Sequence, residues 1–168
     1  AAVLVPEATD LGLLTEREVA AQAAFAERSG TEVRLAIEGE DPLEAEVDPR
    51  RITRIVRNLL TNAIEHGERR PIDVRVAGDA DAVAIVVRDH GIGFEASQVK
   101  QVFLRFWRAD PSRARTVGGT GLGLAISMED ARLHGGWLNA WGRPGQGAQF
   151  RLTLPRRSGA TLQGSPLP

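Results

Sequence analysis

The chain has 168 residues, a formal net charge of -1, and 42% hydrophobic and 26% charged residues. This describes one ordinary globular domain, large enough to bury a core, and its balanced charge gives no argument for a nucleic-acid or anionic-membrane surface. With no cysteine, disulfides, thiolate metal sites and cysteine nucleophiles are excluded, and no stretch nears the roughly 20 apolar residues of a spanning helix.

Residues 15–29 predict a helix opened by Thr15 as N-cap, with Glu18 completing a capping box and Gly30 ending it. The alternations Val33, Leu35, Ile37 and Leu43, Ala45, Val47 predict a hairpin of two short strands. Asp48 then caps a helix with Pro49 at its first position and Gly67 as its stop. Ile72, Val74 and Val76 alternate as in a strand, and residues 82–87 form the continuous apolar run of a central strand. From His90 to Gly119 the chain is polar, basic and Gly-bounded, with a short helical piece around Gln98 to Arg105. A connection of that length inside a domain is functional or mobile, and we expect a mobile flap over residues 97–118. Helical pattern returns from Thr120 to His134. Strands at about Trp137 to Trp141 and Gln149 to Leu154 flank the turn from Arg143 to Gly147, with both Trp rings expected in the core. Beyond Pro155 the Arg, Ser, Gly and Pro composition predicts a disordered tail, residues 156–168. The sum is an α/β fold, a two-layer sandwich in which a mixed sheet of about five strands is covered on one face by about three helices.

Four segments carry the chemistry. On the helix from Pro49, Ile52, Ile55, Val56, Leu59, Leu60 and Ala63 form the core arc. Asn58, Asn62 and His66 recur every four residues, each about 40° round from the last, as a polar row along its edge. An amide oxygen suits Mg²⁺, which prefers oxygen donors and keeps several waters; a lone Asn there is more simply a tolerated helix-edge residue. Asp89 ends the apolar run and opens Asp89-His90-Gly91-Ile92-Gly93. A carboxylate at a strand end can accept the exocyclic amine hydrogen of adenine, while Gly91 and Gly93 permit close backbone approach; the bland alternative is a turn. Gly119-Thr120-Gly121-Leu122-Gly123 opens directly into a helix, so its backbone amides can meet phosphate, with Thr120 either capping the helix or joining the loop. Between these segments lie Lys100, Arg105, Arg108, Arg113 and Arg115 with Phe103, Phe106 and Trp107. A charged loop is usually only solvated, but these aromatics need an apolar seat.

In order and identity these segments resemble the N box, first glycine box, F box and second glycine box of the GHKL superfamily. Within it the chain up to about Pro155 looks most like the ATP-binding catalytic domain (HATPase_c) of bacterial sensor histidine kinases, particularly an actinobacterial, membrane-anchored one. The resemblance implies the Bergerat fold and a protein histidine kinase acting in two-component signalling. It implies ATP and Mg²⁺ as cofactors, with Asn62 the main Mg²⁺ ligand and Asn58 supporting it near the phosphates. Asp89 with Gly91 and Gly93 then holds adenine, and Gly119, Thr120, Gly121, Leu122 and Gly123 the phosphates. Phe103, Phe106 and Arg108 match the F box, Arg108 bringing positive charge to the phosphates. Asn58, Asn62 and Arg108 are thus the catalytic candidates. Two positions depart from the pattern: Glu65 stands where Lys or Arg is common, and His66 where Tyr or Phe is. Glu65 cannot hold phosphate, whereas His66 can still lie against the nucleotide or donate to it.

ATPases of the superfamily place a Glu four residues before the metal Asn, where it activates water. Here that position is Asn58, which cannot take a proton at neutral pH, so transfer to another nucleophile is favoured over hydrolysis. A GHKL-type ATPase, an anti-sigma serine kinase and a catalytically idle nucleotide-sensing or docking domain remain the alternatives. None of His66, His90 and His134 opens a His-Glu/Asp-x-x-x-Pro phosphoacceptor pattern. The N-terminus has no signal-peptide pattern, and the chain begins at Ala1 without a Met, the latter suggesting a piece of a longer protein. The expected partners are therefore a histidine-containing dimerisation domain of the same parent kinase and, indirectly, a response regulator. The domain is expected to be cytoplasmic, its parent anchored in the membrane, and the fragment monomeric.

Overall fold

The structure is a computed structural model and describes residues 3–39, 41–104 and 123–168. Strand β1 (Glu7–Asp10) leads into helices α1 (Leu11–Ala21) and α2 (Ala23–Arg28), then strands β2 (Val33–Ile37) and β3 (Glu44–Val47). Helix α3 (Pro49–His66) precedes β4 (Ile72–Gly78) and β5 (Ala82–Arg88). Two 3₁₀ turns, Ala96–Gln98 and Gln101–Phe103, α4 (Gly123–Leu133), β6 (Trp137–Arg143) and β7 (Gly147–Pro155) complete the described elements.

One five-stranded sheet has the order β2-β4-β5-β7-β6. β2 and β4 are parallel; the other pairs are antiparallel. The inward rows Ile72, Val74, Val76 and Val83, Ile85, Val87 meet the apolar arc of α3, and all of these residues are buried. The expected sandwich is therefore the observed one. β5 is buried on both faces because Ala84 and Val86, on its other side, cluster with Ala77 of β4 and lie under Leu167. That cover comes from residues 156–168, where composition suggests a disordered tail. Leu162 and Leu167 are buried, Arg151 donates to the Leu167 carbonyl and Gln149 to that of Pro168.

Three local expectations need correction. Thr15 is not an N-cap: Asp10 is, its carboxylate accepting from the Leu13 amide at 3.1 Å. Thr15 lies one turn inside α1 with its hydroxyl donating to the Leu11 carbonyl, while Glu18 is buried and accepts from Arg57 of α3. A hydroxyl mid-helix can satisfy itself on the preceding turn, so a Ser/Thr-x-x-Glu pattern alone does not fix a helix start. β2 and β3 do not form a hairpin either. β2 pairs with β4, and β3 pairs with β1 in a separate two-stranded sheet. Period-two alternation identifies a strand's faces but not its partner. On β6 the core-facing residues are Leu138, Ala140 and Gly142. The two Trp residues take the opposite phase: Trp137 is exposed, and Trp141 is half-buried beneath the Arg88 guanidinium, 4.4 Å from its ring centre.

The expected cap of α3 is present: the Asp48 carboxylate accepts from the Arg50 amide, with Pro49 next to it. From there α3 is bolted to α4. Arg51 and Arg54 both reach the buried Asp130 carboxylate, at 2.8 and 2.6 Å. His134, also buried, closes the same seam. Its Nε2 faces the Asp48 amide at 3.1 Å and its Nδ1 the Asp130 carbonyl at 2.7 Å. An amide can only donate and a carbonyl can only accept, so Nε2 is bare and Nδ1 carries the proton. His134→Ala should strand the Asp48 amide and lower stability by about 1–3 kcal/mol. Urea unfolding measures this, and a loss under about 0.5 kcal/mol would contradict the assignment.

Candidate nucleotide site

The end of β5 sets the first half of the site. Pairing with β7 continues one residue past the strand, the Asp89 amide donating to the Ala148 carbonyl at 2.9 Å. This turns the Asp89 side chain inward, where one carboxylate oxygen, Oδ1, accepts from the amides of Gly91 (3.0 Å) and Ala148 (3.2 Å). Oδ2 accepts no hydrogen bond from any described residue. Burial pushes this carboxyl above the usual Asp range, against the opposing pull of the two amides and of the Arg88 and His90 charges. The result is a desolvated acceptor with one lone-pair face already fixed, suited to an N–H donor such as an aromatic amine.

The glycines make the loop possible. A Cβ on Gly91 would overlap the His66 carbonyl oxygen and crowd the Gly67 backbone, so only glycine lets the Asp89 loop lie against the end of α3. The Ile92 amide donates to that His66 carbonyl at 3.2 Å. Gly93 has φ +64°, and a Cβ there would overlap the Arg143 carbonyl oxygen. His90 points elsewhere: its ring meets Asp73 of β4 at 3.1 Å and its carbonyl accepts from Arg70.

The second half lies farther up α3. Asn58, Asn62 and His66 are all half-buried, as a row along the edge of the apolar arc requires. The Asn58 amide nitrogen donates to the Gly123 carbonyl and lies against the Ser127 hydroxyl, both at 3.1 Å. Because the Gly123 oxygen can only accept, the amide cannot be turned over, and Oδ1 is the acceptor, with no hydrogen bond from the described residues. The Asn62 side chain makes no hydrogen bond among the described residues. Eight residues of helix separate Asn58 from His66, about 12 Å of rise. Thus α3 joins the start of α4 at one end to the Asp89 loop at the other. Among the described residues no three of His, Cys, Asp and Glu gather to hold a metal. The amide oxygens of Asn58 and Asn62 fit a cation held mainly by water and an anionic ligand, which is the habit of Mg²⁺.

Phe103 of the expected F box packs edge-on to Phe150 at 6.0 Å between ring centres, and Lys100 is exposed. Arg105, Phe106, Trp107, Arg108, Arg113, Arg115, Gly119, Thr120, Gly121 and Leu122 lie outside the described residues, as does most of the expected flap. Gly123 is described and begins α4. Ala148 and Ser127 have no counterpart in the sequence reading. Ala148 acts through its backbone and so leaves no mark in residue type, and Ser127 reads as an ordinary helix residue until Asn58 is seen beside it.

Comparison with known proteins shows the family. The family model described as histidine kinase-, DNA gyrase B- and HSP90-like ATPase matches residues 47–158, from the lead-in to α3 to just past β7. The chain belongs to this ATPase family. Sensor histidine kinase MtrB of Mycobacterium leprae is 54% identical over 167 residues, covering 99% of the chain and 30% of that protein. MtrB of Mycobacterium tuberculosis is 52% identical, covering 99% and 29%. The chain thus spans about a third of the length of these relatives. Among solved structures, full-length ShkA in complex with AMPPNP superposes with a TM-score of 0.82 at 25% identity, covering 96% of the chain and 33% of ShkA. The mycobacterial sensor histidine kinase MprB superposes at 0.74 with 27% identity, covering 92% and 99%. Like these members of the family, the chain is an α/β sandwich of the histidine kinase catalytic type. No helix among the described residues is long and apolar enough to cross a membrane.

Proposed function

We propose that residues 1–155 bind Mg²⁺-ATP and present its γ-phosphate to a histidine on the dimerisation domain of the same sensor kinase, which then serves a response regulator. The single observation that carries this is the Asp89 carboxylate, buried, with Oδ1 held by two amides and Oδ2 taking no hydrogen bond from the described residues. Adenine offers such a donor in its exocyclic amine; guanine carries a carbonyl there. His66, at the end of α3 beside that loop, lies along the base. Asn58 and Asn62 would offer amide oxygens to the metal and phosphates, the backbone amides of residues 119–123 would meet the phosphates, and Phe106 and Arg108 would supply the F-box contact and positive charge. Bound Mg²⁺ neutralises charge on the transferring group. The chain itself contributes positioning and charge compensation.

Asn58 also supports transfer over hydrolysis. Its nitrogen is committed to Gly123 and Ser127, and an amide oxygen cannot deprotonate water. The high identity to sensor kinases supports a parent protein that is membrane-anchored, with this domain on the cytoplasmic side. The test is to incubate the chain with γ-labelled ATP and Mg²⁺, with and without the parent's upstream helical domain. Label on a histidine of that domain with little free phosphate is expected. Free phosphate as the main product would make the chain an ATPase, and bound but unreacted ATP would make it a nucleotide sensor.

A further inference from the structure

Ser127 has no part in the site as read from the sequence. It lies one turn into α4, is 1% exposed, and its hydroxyl sits 3.1 Å from the Asn58 amide nitrogen. That nitrogen has two hydrogens, and two acceptors surround it: the Gly123 carbonyl and Ser127 Oγ. One partner would set which way the amide faces. Two, approached from adjacent turns of α4, also fix its rotation about the Cβ–Cγ bond. Gly123 completes the seat, since a Cβ there would come within 3.3 Å of the Asn58 amide carbon.

We propose that Ser127 is a positioning residue that holds the Asn58 amide with its oxygen aimed at the metal-phosphate end of the site. This rests on the nucleotide reading above and deepens it. A ligand oxygen on a free amide must be ordered each time the metal binds, whereas one already clamped is not. Removing such an outer partner typically costs about 10–100-fold in metal affinity.

The clamp also ties α4 to α3 at the point where the glycine loop enters α4. A merely structural hydrogen bond there would change stability without changing metal dependence, so the two roles separate experimentally. The experiment uses the whole chain with Ser127→Ala, Ser127→Thr, Asn58→Ala and the double variant Ser127→Ala/Asn58→Ala. Calorimetry with a non-hydrolysable ATP analogue is run across a Mg²⁺ series and in EDTA, and the Asn58 side-chain amide resonances are followed by NMR without nucleotide.

For Ser127→Ala we expect the Mg²⁺ concentration giving half of the metal-dependent gain in affinity to rise about 10-fold. Affinity in EDTA should stay within about two-fold, the Asn58 amide resonances should shift or broaden, and Ser127→Thr should restore most of the metal dependence. On the Asn58→Ala background the Ser127 change should add nothing. An unchanged Mg²⁺ requirement in Ser127→Ala, while Asn58→Ala raises it, overturns the role of Ser127 and leaves the site intact. So does an equal Ser127 effect with and without Asn58. An unchanged Mg²⁺ requirement in Asn58→Ala itself fells the metal assignment, and this inference with it.

Discussion

Asp89→Asn is expected to lower affinity for adenine nucleotides at least about 100-fold and to leave the domain as stable at neutral pH, or more so. The two effects share a cause. An Asn can keep Oδ1 on the Gly91 and Ala148 amides, so both buried donors stay satisfied; its NH₂ group then occupies the face that Oδ2 holds open. A donor there meets the donor hydrogen of adenine. The site loses a charge-assisted hydrogen bond of about 1.5–3 kcal/mol and gains an unpaired buried donor, and about 2.7 kcal/mol is 100-fold in affinity.

Stability moves the other way because burial raises the Asp89 pKa. A raised carboxyl binds its proton more tightly folded than unfolded. Its favourable contribution is therefore complete below the unfolded value near 3.8 and is lost as pH rises through the folded value. At neutral pH the wild-type chain carries the cost of a buried charge, and the amide does not. Thermal melts of both proteins from pH 4 to 8 should show wild type falling relative to the variant with rising pH. Binding of Mg²⁺-ATP to Asp89→Asn within about three-fold of wild type would refute the adenine role. Asp89→Ala is the poorer variant, since it strands the Gly91 and Ala148 amides and confuses folding with recognition.

The features legible in the sequence were those built from neighbours along the chain. Asp48, Pro49 and Gly67 bound α3 because caps are local, and the four-residue spacing of Asn58, Asn62 and His66 places them in one row by helix geometry alone. The Asp89 loop was readable because its glycines answer steric demands that no side chain can meet, Gly91 against the end of α3 and Gly93 against the Arg143 carbonyl. What escaped depends on partners distant in sequence. β3 turns to β1, a four-residue strand too short and polar to announce itself, and β2 turns to β4 across the whole of α3. On β6 the Trp side chains carry the larger apolar area and so point to the wrong phase, whereas Phe94 fills the space above Gly142 on the inner face. Pro- and Gly-rich composition suggests a free tail, but Leu167 seats its end on the outer face of β5, helped by the Arg151 and Gln149 hydrogen bonds to the last two carbonyls.

Asn62→Ala should act on chemistry while sparing the scaffold. Asn62 stands one turn along α3 from Asn58, and among the described residues nothing hydrogen-bonds its amide, so the fold does not need it. Ala is also the better helix former, by roughly half a kcal/mol, so melting should be unchanged or slightly raised. Nucleotide affinity in EDTA should hold within about two-fold, because the base contact at Asp89 is untouched. The Mg²⁺-dependent gain in affinity should largely disappear. Transfer to the helical domain should fall about 100-fold or more, since metal neutralisation of the transferring group supplies several kcal/mol. Asn62→Asp keeps an oxygen ligand but sets a negative charge beside the phosphates, and should fall between wild type and Ala. Asn58, held by Ser127 and Gly123, differs in being part of the α3–α4 seam, so its replacement should cost stability as well. If Asn62→Ala transfers phosphate within about five-fold of wild type, the metal is held elsewhere and the polar row on α3 ends at Asn58.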